Sequence, residues 1–144
     1  LTRLLIRKGA LKNALEHLNR VTTRRTITFV ISDFFAPDFK KTLSITNKRH
    51  DVIAVNITDP AETRLPEAGI VKLHDAETGE PSLIDTADKR LRELYAVRAE
   101  KLALDREQLF RSVNVDSIDI STDSSYVEPL IRFFRTRERR MKRR

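Results

Sequence analysis

The chain of 144 residues contains no cysteine. That excludes disulfide bridges and thiolate metal centres, and it fits a reducing compartment, so a cytoplasmic setting is expected. No apolar run approaches the roughly 18 residues a membrane span needs. The opening stretch LTRLLIRKGALKNALEHL lacks a small-residue cleavage site, so no secretory leader is read there. Leu1 stands where an initiator Met would, which reads as a piece of something longer. Glycine occurs three times, too seldom for a loop that cradles phosphates with bare backbone amides. No serine lies in a Gly-x-Ser-x-Gly elbow. The histidines His17, His50 and His74 fall on three different elements without metal-ligand spacing, and all three are expected at the surface. Catalysis therefore has no supporting constellation, and no cofactor is implied.

What is present describes one α/β domain. Apolar residues make up 40% and charged residues 34% of the chain, ordinary for a globular protein of a size that can bury a core. The net charge of +7 is uneven: the last ten residues, RTRERRMKRR, set seven cations against Glu138 and so leave +1 for all the rest. The body is nearly neutral. We divide the chain into a domain over 1–136 and a basic tail over 137–144.

Apolar spacing predicts a helix over 10–21 with Leu11, Ala14, Leu15, Leu18 and Val21 inward. Thr26 to Ile31 are β-branched and aromatic with little alternation, as in a parallel strand covered on both faces. Asp38 is the expected N-cap of a helix of about ten residues carrying Phe39, Leu43 and Thr46. HDVIAVNIT, 50–58, reads as a second buried strand, stopped by Asp59-Pro60. Alternation at 70–73 and 82–85 around Glu77-Thr78-Gly79 predicts a hairpin. A long helix follows over 87–111 with Leu91, Leu94, Tyr95, Leu102, Leu109 and Phe110 inward, and then a strand over 115–121. Ser125 and Glu128 are spaced as a capping box for a closing helix with Val127, Leu130, Ile131, Phe133 and Phe134. This order predicts a mostly parallel sheet with helices on its faces and an inserted hairpin. With only three core strands, one edge should be left open.

Four blocks in this order, RRTITFVISDFF, KRHDVIAVNITDP, DAETGEPSLIDTAD and ISTDSSYVEPLIRFFRTRERR, resemble the C-terminal half of the bacterial "domain of unknown function 58" proteins, relatives of the von Willebrand factor A domain. The resemblance covers most of residues 10–140. It implies a Rossmann-like α/β fold, here an incomplete domain, and association with MoxR-type AAA ATPases that act in complex assembly or metal insertion. It also places Asp33 at the family's third metal-binding position, after a strand end. No Asp-x-Ser-x-Ser motif occurs in residues 1–33, and the threonine position falls near Gly9 or Ala10. One carboxylate and one hydroxyl are a poor cage for a hard dication, so no metal site is assigned and Asp33 stays a weak candidate.

Ser32, Asp33, Phe34, Phe35, Asp59 and Pro60 are read as a rim for docking a protein partner. One phenylalanine of the pair should pack inward; the other either completes the core or is exposed as an apolar patch for a partner. Asp33 and Asp59 lack the nucleophile or base that hydrolysis would need. The missing neighbour of the strand at 26–31 predicts a homodimer. The alternative is a nucleic-acid or polyanion module working through Arg135, Arg137, Arg139, Arg140, Lys142, Arg143 and Arg144. No aromatic interleaves them, so base stacking is not expected.

Overall fold

The computed structural model describes residues 10–35, 38–74 and 81–142, the side chains of Leu73 and His74 excepted. Ten elements follow in order: α1 (Ala10–Val21), β1 (Ile27–Ser32), α2 (Lys40–Arg49), β2 (Asp51–Thr58), α3 (Pro60–Thr63), β3 (Ile70–His74), β4 (Pro81–Asp85), α4 (Lys89–Ser112), β5 (Asp116–Ser121) and α5 (Val127–Met141). β1, β2 and β5 form a parallel sheet in the order β1-β2-β5, and β3 pairs with β4 in a separate antiparallel ladder. This is the Rossmann-like α/β architecture expected. The hairpin's turn, Glu77-Thr78-Gly79, lies outside the described residues.

The central strand explains itself. Val52 to Asn56 are all buried, because β2 has a strand on each side and a layer on each face. Side chains alternate between faces along a strand, which divides the core in two. Val52 and Ala54 pack with Leu15, Phe34, Phe39, Leu43, Phe110 and Val115. Ile53 and Val55 pack with Ile118, Leu130 and Phe133 under α5. Two polar ties fix the first layer. Asn19 Nδ2 donates to Thr46 Oγ1 at 2.7 Å, joining α1 to α2. Asn47 donates to the Asn114 carbonyl at 2.8 Å and accepts from the Val52 amide at 3.1 Å, joining α2, β2 and the turn before β5.

Five expectations are corrected. β1 is not covered on both faces, for Ile27, Phe29 and Ile31 are all exposed; α5 lies over β2 and β5 and touches β1 only at its margin, Phe134 against Phe29. Asp38 is not a cap: Phe39 takes that position without a side-chain bond, and Asp38 sits in the left-handed region at φ 66°. The capping box before α5 does not form, because Tyr126 is the N-cap and Glu128 turns to Arg132 instead. Along α4, Leu94 and Leu102 are exposed and Phe110 is the one buried side chain; in α1, likewise, Leu15 alone is buried while Ala14 and Val21 are exposed. His50 is buried, not superficial: it is the C-cap of α2, and its Nδ1 lies 3.2 Å from Thr26 Oγ1. His17 is exposed, as expected.

Candidate functional site

Parallel strands end on one side, and loops there are where such sheets carry ligands. β1, β2 and β5 finish at Ser32, Thr58 and Ser121, so Ser32-Asp33-Phe34-Phe35, Asp59-Pro60 and Thr122-Asp123-Ser124 share one rim. Each loop is closed by its own first side chains. Ser32 Oγ accepts from the Phe34 amide at 3.1 Å and donates to Asp33 Oδ1 at 3.3 Å. Asp33 Oδ1 accepts in turn from the Phe35 amide at 3.3 Å. Asp59 Oδ1 accepts from the Ala61 amide at 2.8 Å, and Glu62 accepts from the Asp59 amide, a capping box with Pro60 in the first helical turn of α3. Ser121 Oγ donates to Asp123 Oδ1 at 2.5 Å. Both strand-end aspartates thus hold backbone amides, as strand-terminating aspartates do.

The phenylalanine pair divides between core and rim. Phe34 adopts φ 56°, a left-handed conformation that costs a bulky residue on the order of 1 kcal/mol. The turn carries its ring back into the core, 4.9 Å from Phe110 and 5.8 Å from Phe39 between centroids. Phe35 is left 52% exposed on the rim. Its position is set on both sides, by the Asp33 acceptor and by its buried neighbour.

Below the rim lies a polar row that sequence reasoning missed. Ser32, Asn56 and Asp119 are paired in register across the three strands and so share the face of Val52 and Ala54. Asn56 is 1% exposed; its Nδ2 donates to Asp119 Oδ1 at 2.8 Å and to Thr58 Oγ1 at 3.0 Å. Its Oδ1 is buried without a partner. The one available signal was a lone asparagine inside DVIAVNIT. Replacing Asn56 by aspartate buries a carboxylate beside that of the exposed Asp119, and we expect a loss of about 2–4 kcal/mol, read as a fall in urea midpoint. Asn56→Val, which removes the orphaned oxygen with its donors, should lie within about 1 kcal/mol of the parent. Among the described residues no three histidine or acidic side chains converge as a metal site.

The basic residues do not act as one strip. α5 continues through Met141, so most of the presumed tail is helical. Arg137 turns back to the strand beginnings, where it is ion-paired with Asp51 and lies 3.4 Å from Asp116, its guanidinium over the Phe133 ring. Arg140 reaches Asp116 at 3.2 Å, and Lys142 pairs with Glu138. Arg135 and Arg139 point outward and make no ion pair among the described residues. Arg143 and Arg144 lie outside the description. No described helix is long and apolar enough to cross a membrane.

A mixed α/β domain with a self-capped loop rim at its strand ends is the class these features define. The chain belongs to the family described as "Protein of unknown function DUF58", whose model matches residues 5–104. It is 33% identical over 133 residues to the uncharacterized protein MAV169 of Mycobacterium avium, covering 92% of this chain and 78% of that one. It is 31% identical over 133 residues to the uncharacterized proteins Rv1480 of Mycobacterium tuberculosis and Mb1516 of Mycobacterium bovis, and spans 42% of their length. No solved structure matches.

Proposed function

We propose that this domain is a non-catalytic docking module, von Willebrand A-like, whose rim of Ser32 to Phe35 with Asp59 and Pro60 binds a protein partner. The resemblance of the four sequence blocks makes a MoxR-type AAA ATPase the first partner to test, in assembly or remodelling of a complex. The observation that carries the reading is Phe35: a large aromatic held half-exposed by a side-chain-capped turn, ordered before a partner arrives. Such an anchor loses little entropy on binding, and aromatic anchors dominate interface energetics. We expect Phe35→Ala to weaken binding of a MoxR-type ATPase from the same organism by at least about 10-fold, roughly 1.4 kcal/mol, with the thermal midpoint unchanged. Unaltered affinity in a folded variant rejects the rim as the docking site.

The outward pair Arg135 and Arg139 supports a second reading, a polyanion contact through α5. Reversing both charges should then abolish nucleic-acid binding and its salt dependence, whereas Phe35→Ala should leave that binding intact.

A further inference from the structure

The three strands of the parallel sheet start at one end of the domain, and α1, α2, α4 and α5 finish there. Contacts between these termini make that end one surface. Arg49 Nη1 donates to the Asn19 carbonyl at 2.7 Å, linking the ends of α2 and α1. Asn47 links α2 to the turn before β5. Arg137 and Arg140 bring the end of α5 to Asp51 and Asp116.

This end collects cations from five places in the chain. α1 finishes with Arg20, and Arg24 and Arg25 follow in the turn into β1. α2 finishes with Lys48 and Arg49, and α4 with Arg111. α5 adds Arg137, Arg139, Arg140 and Lys142. Against these ten stand four acids, Asp51, Glu107, Asp116 and Glu138, so residues 20–26, 47–52, 107–117 and 137–142 carry +6. Cations at helix C-termini answer the helix dipole, which accounts for about half a charge per helix, roughly 2 for four helices. An excess of about 4 is left. The four acids are already held by Arg137, Arg140, Arg111 and Lys142. Arg20, Arg24, Arg25, Lys48, Arg49 and Arg139 are exposed and make no ion pair among the described residues. Arg25, Arg111, Arg137 and Arg140 together line an open hollow of about 1110 Å³, which has room for several phosphate groups. The rim has the opposite sign: residues 32–35, 59–63 and 121–124 hold four acids and no cation. A polyanion is therefore steered to the strand starts and away from the docking surface.

We propose that the strand-start end seats the phosphate backbone of a duplex nucleic acid, without reading its sequence. Eight of the ten cations are arginines, whose planar fork takes phosphate oxygens two at a time. Protein interfaces are built around an apolar centre, whereas these segments expose two large apolar side chains, Val21 and Met141. Their one phenylalanine, Phe110, is buried, so unpaired bases find no ring to stack on. The proposal rests on the polyanion reading but moves its contact from the outer face of α5 to the strand starts. It leaves the rim free.

Fluorescence anisotropy with a labelled DNA duplex of roughly 20 base pairs tests it between about 50 and 200 mM salt. About four phosphate contacts give a log–log salt slope near −3.6, so the parent should lose roughly 100-fold in affinity over that range. A duplex of scrambled sequence should bind equally well. Arg24→Gln, Arg25→Gln and Lys48→Gln, combined, change exposed side chains that hold nothing in the fold, and circular dichroism should be unaltered. This triple variant should bind at least about 10-fold more weakly at the lower salt, with a slope shallower by about 2. Arg135→Gln, on the outer face of α5, should cost less than about 2-fold. A folded triple variant with unchanged affinity and slope overturns the proposal. So does an Arg135→Gln variant as damaged as the triple one, which would return the polyanion contact to the outer face of α5. Displacement of the duplex by poly-glutamate as readily as by unlabelled duplex, at equal charge, also overturns it and marks an acidic protein segment as the ligand. A parent that binds no duplex at the lower salt removes the polyanion reading together with this proposal.

Discussion

Truncating Phe110 to alanine is expected to cost about 3–5 kcal/mol, out of a total stability that for a domain of this kind is on the order of 5–15 kcal/mol. The ring is 3% exposed and meets Phe34 edge to face at 4.9 Å, so a large void opens where three aromatic side chains converge. The damage should also be uneven. Phe110 is the one side chain by which α4 is buried, and without it the helix loses its hold before the sheet does. Urea unfolding measures the first effect, and amide exchange along residues 89–112 measures the second. A loss below about 1 kcal/mol would show that the end of α4 is held by something other than this ring.

The second large effect concerns Arg137. Asp51 opens β2, and Asp116 opens β5, where it pairs in register with Ile53, two residues along from Asp51. Arg137, with a side chain 20% exposed, is ion-paired with both. Removing it as Arg137→Met keeps the packing on Phe133 and leaves two carboxylates close together, with only the more exposed Arg140 near Asp116. Partial exposure moderates the penalty below the 3–5 kcal/mol of a fully buried pair, and about 2 kcal/mol is expected. Arg137→Met combined with Asp51→Asn should recover at least about half of that loss, and a double-mutant cycle reads the coupling directly. Additive single effects would show that Arg137 acts through its methylenes alone.

Much of the fold was legible because it is written locally. β2 shows as an unbroken apolar run since its neighbours on every side demand one. β1 carries nearly the same letters, TITFVI, yet its solvent-facing half depends on which layers reach it, and that is a tertiary fact no short window contains. His50 stands among Lys48, Arg49 and Asp51 and therefore looks superficial; the C-cap of α2 turns it inward. Ser125 and Glu128 have the spacing of a capping box, but Tyr126 takes a helical conformation and Arg132 offers Glu128 a partner one turn on. The rim was found from strand ends and the Phe34-Phe35 pair. The polar row beneath it was not, because pairing Asn56 with Asp119 requires the register of two strands.

That register also governs the sequence of events during folding. β1 and β2 are joined through one helix, Ile27 pairing with Asp51, whereas β2 must wait for β5 across the hairpin and α4, Ile53 pairing with Asp116. Closing the longer loop costs only about 1 kcal/mol more in chain entropy. On the ribosome the delay is larger, because residues 116–121 emerge after some sixty others at roughly 5–20 residues per second. For several seconds the most apolar strand of the protein has one bare edge. A nascent chain arrested before β5 should therefore be a preferred client of holding chaperones, and release of the last thirty residues, which complete β5 and α5, should end that dependence.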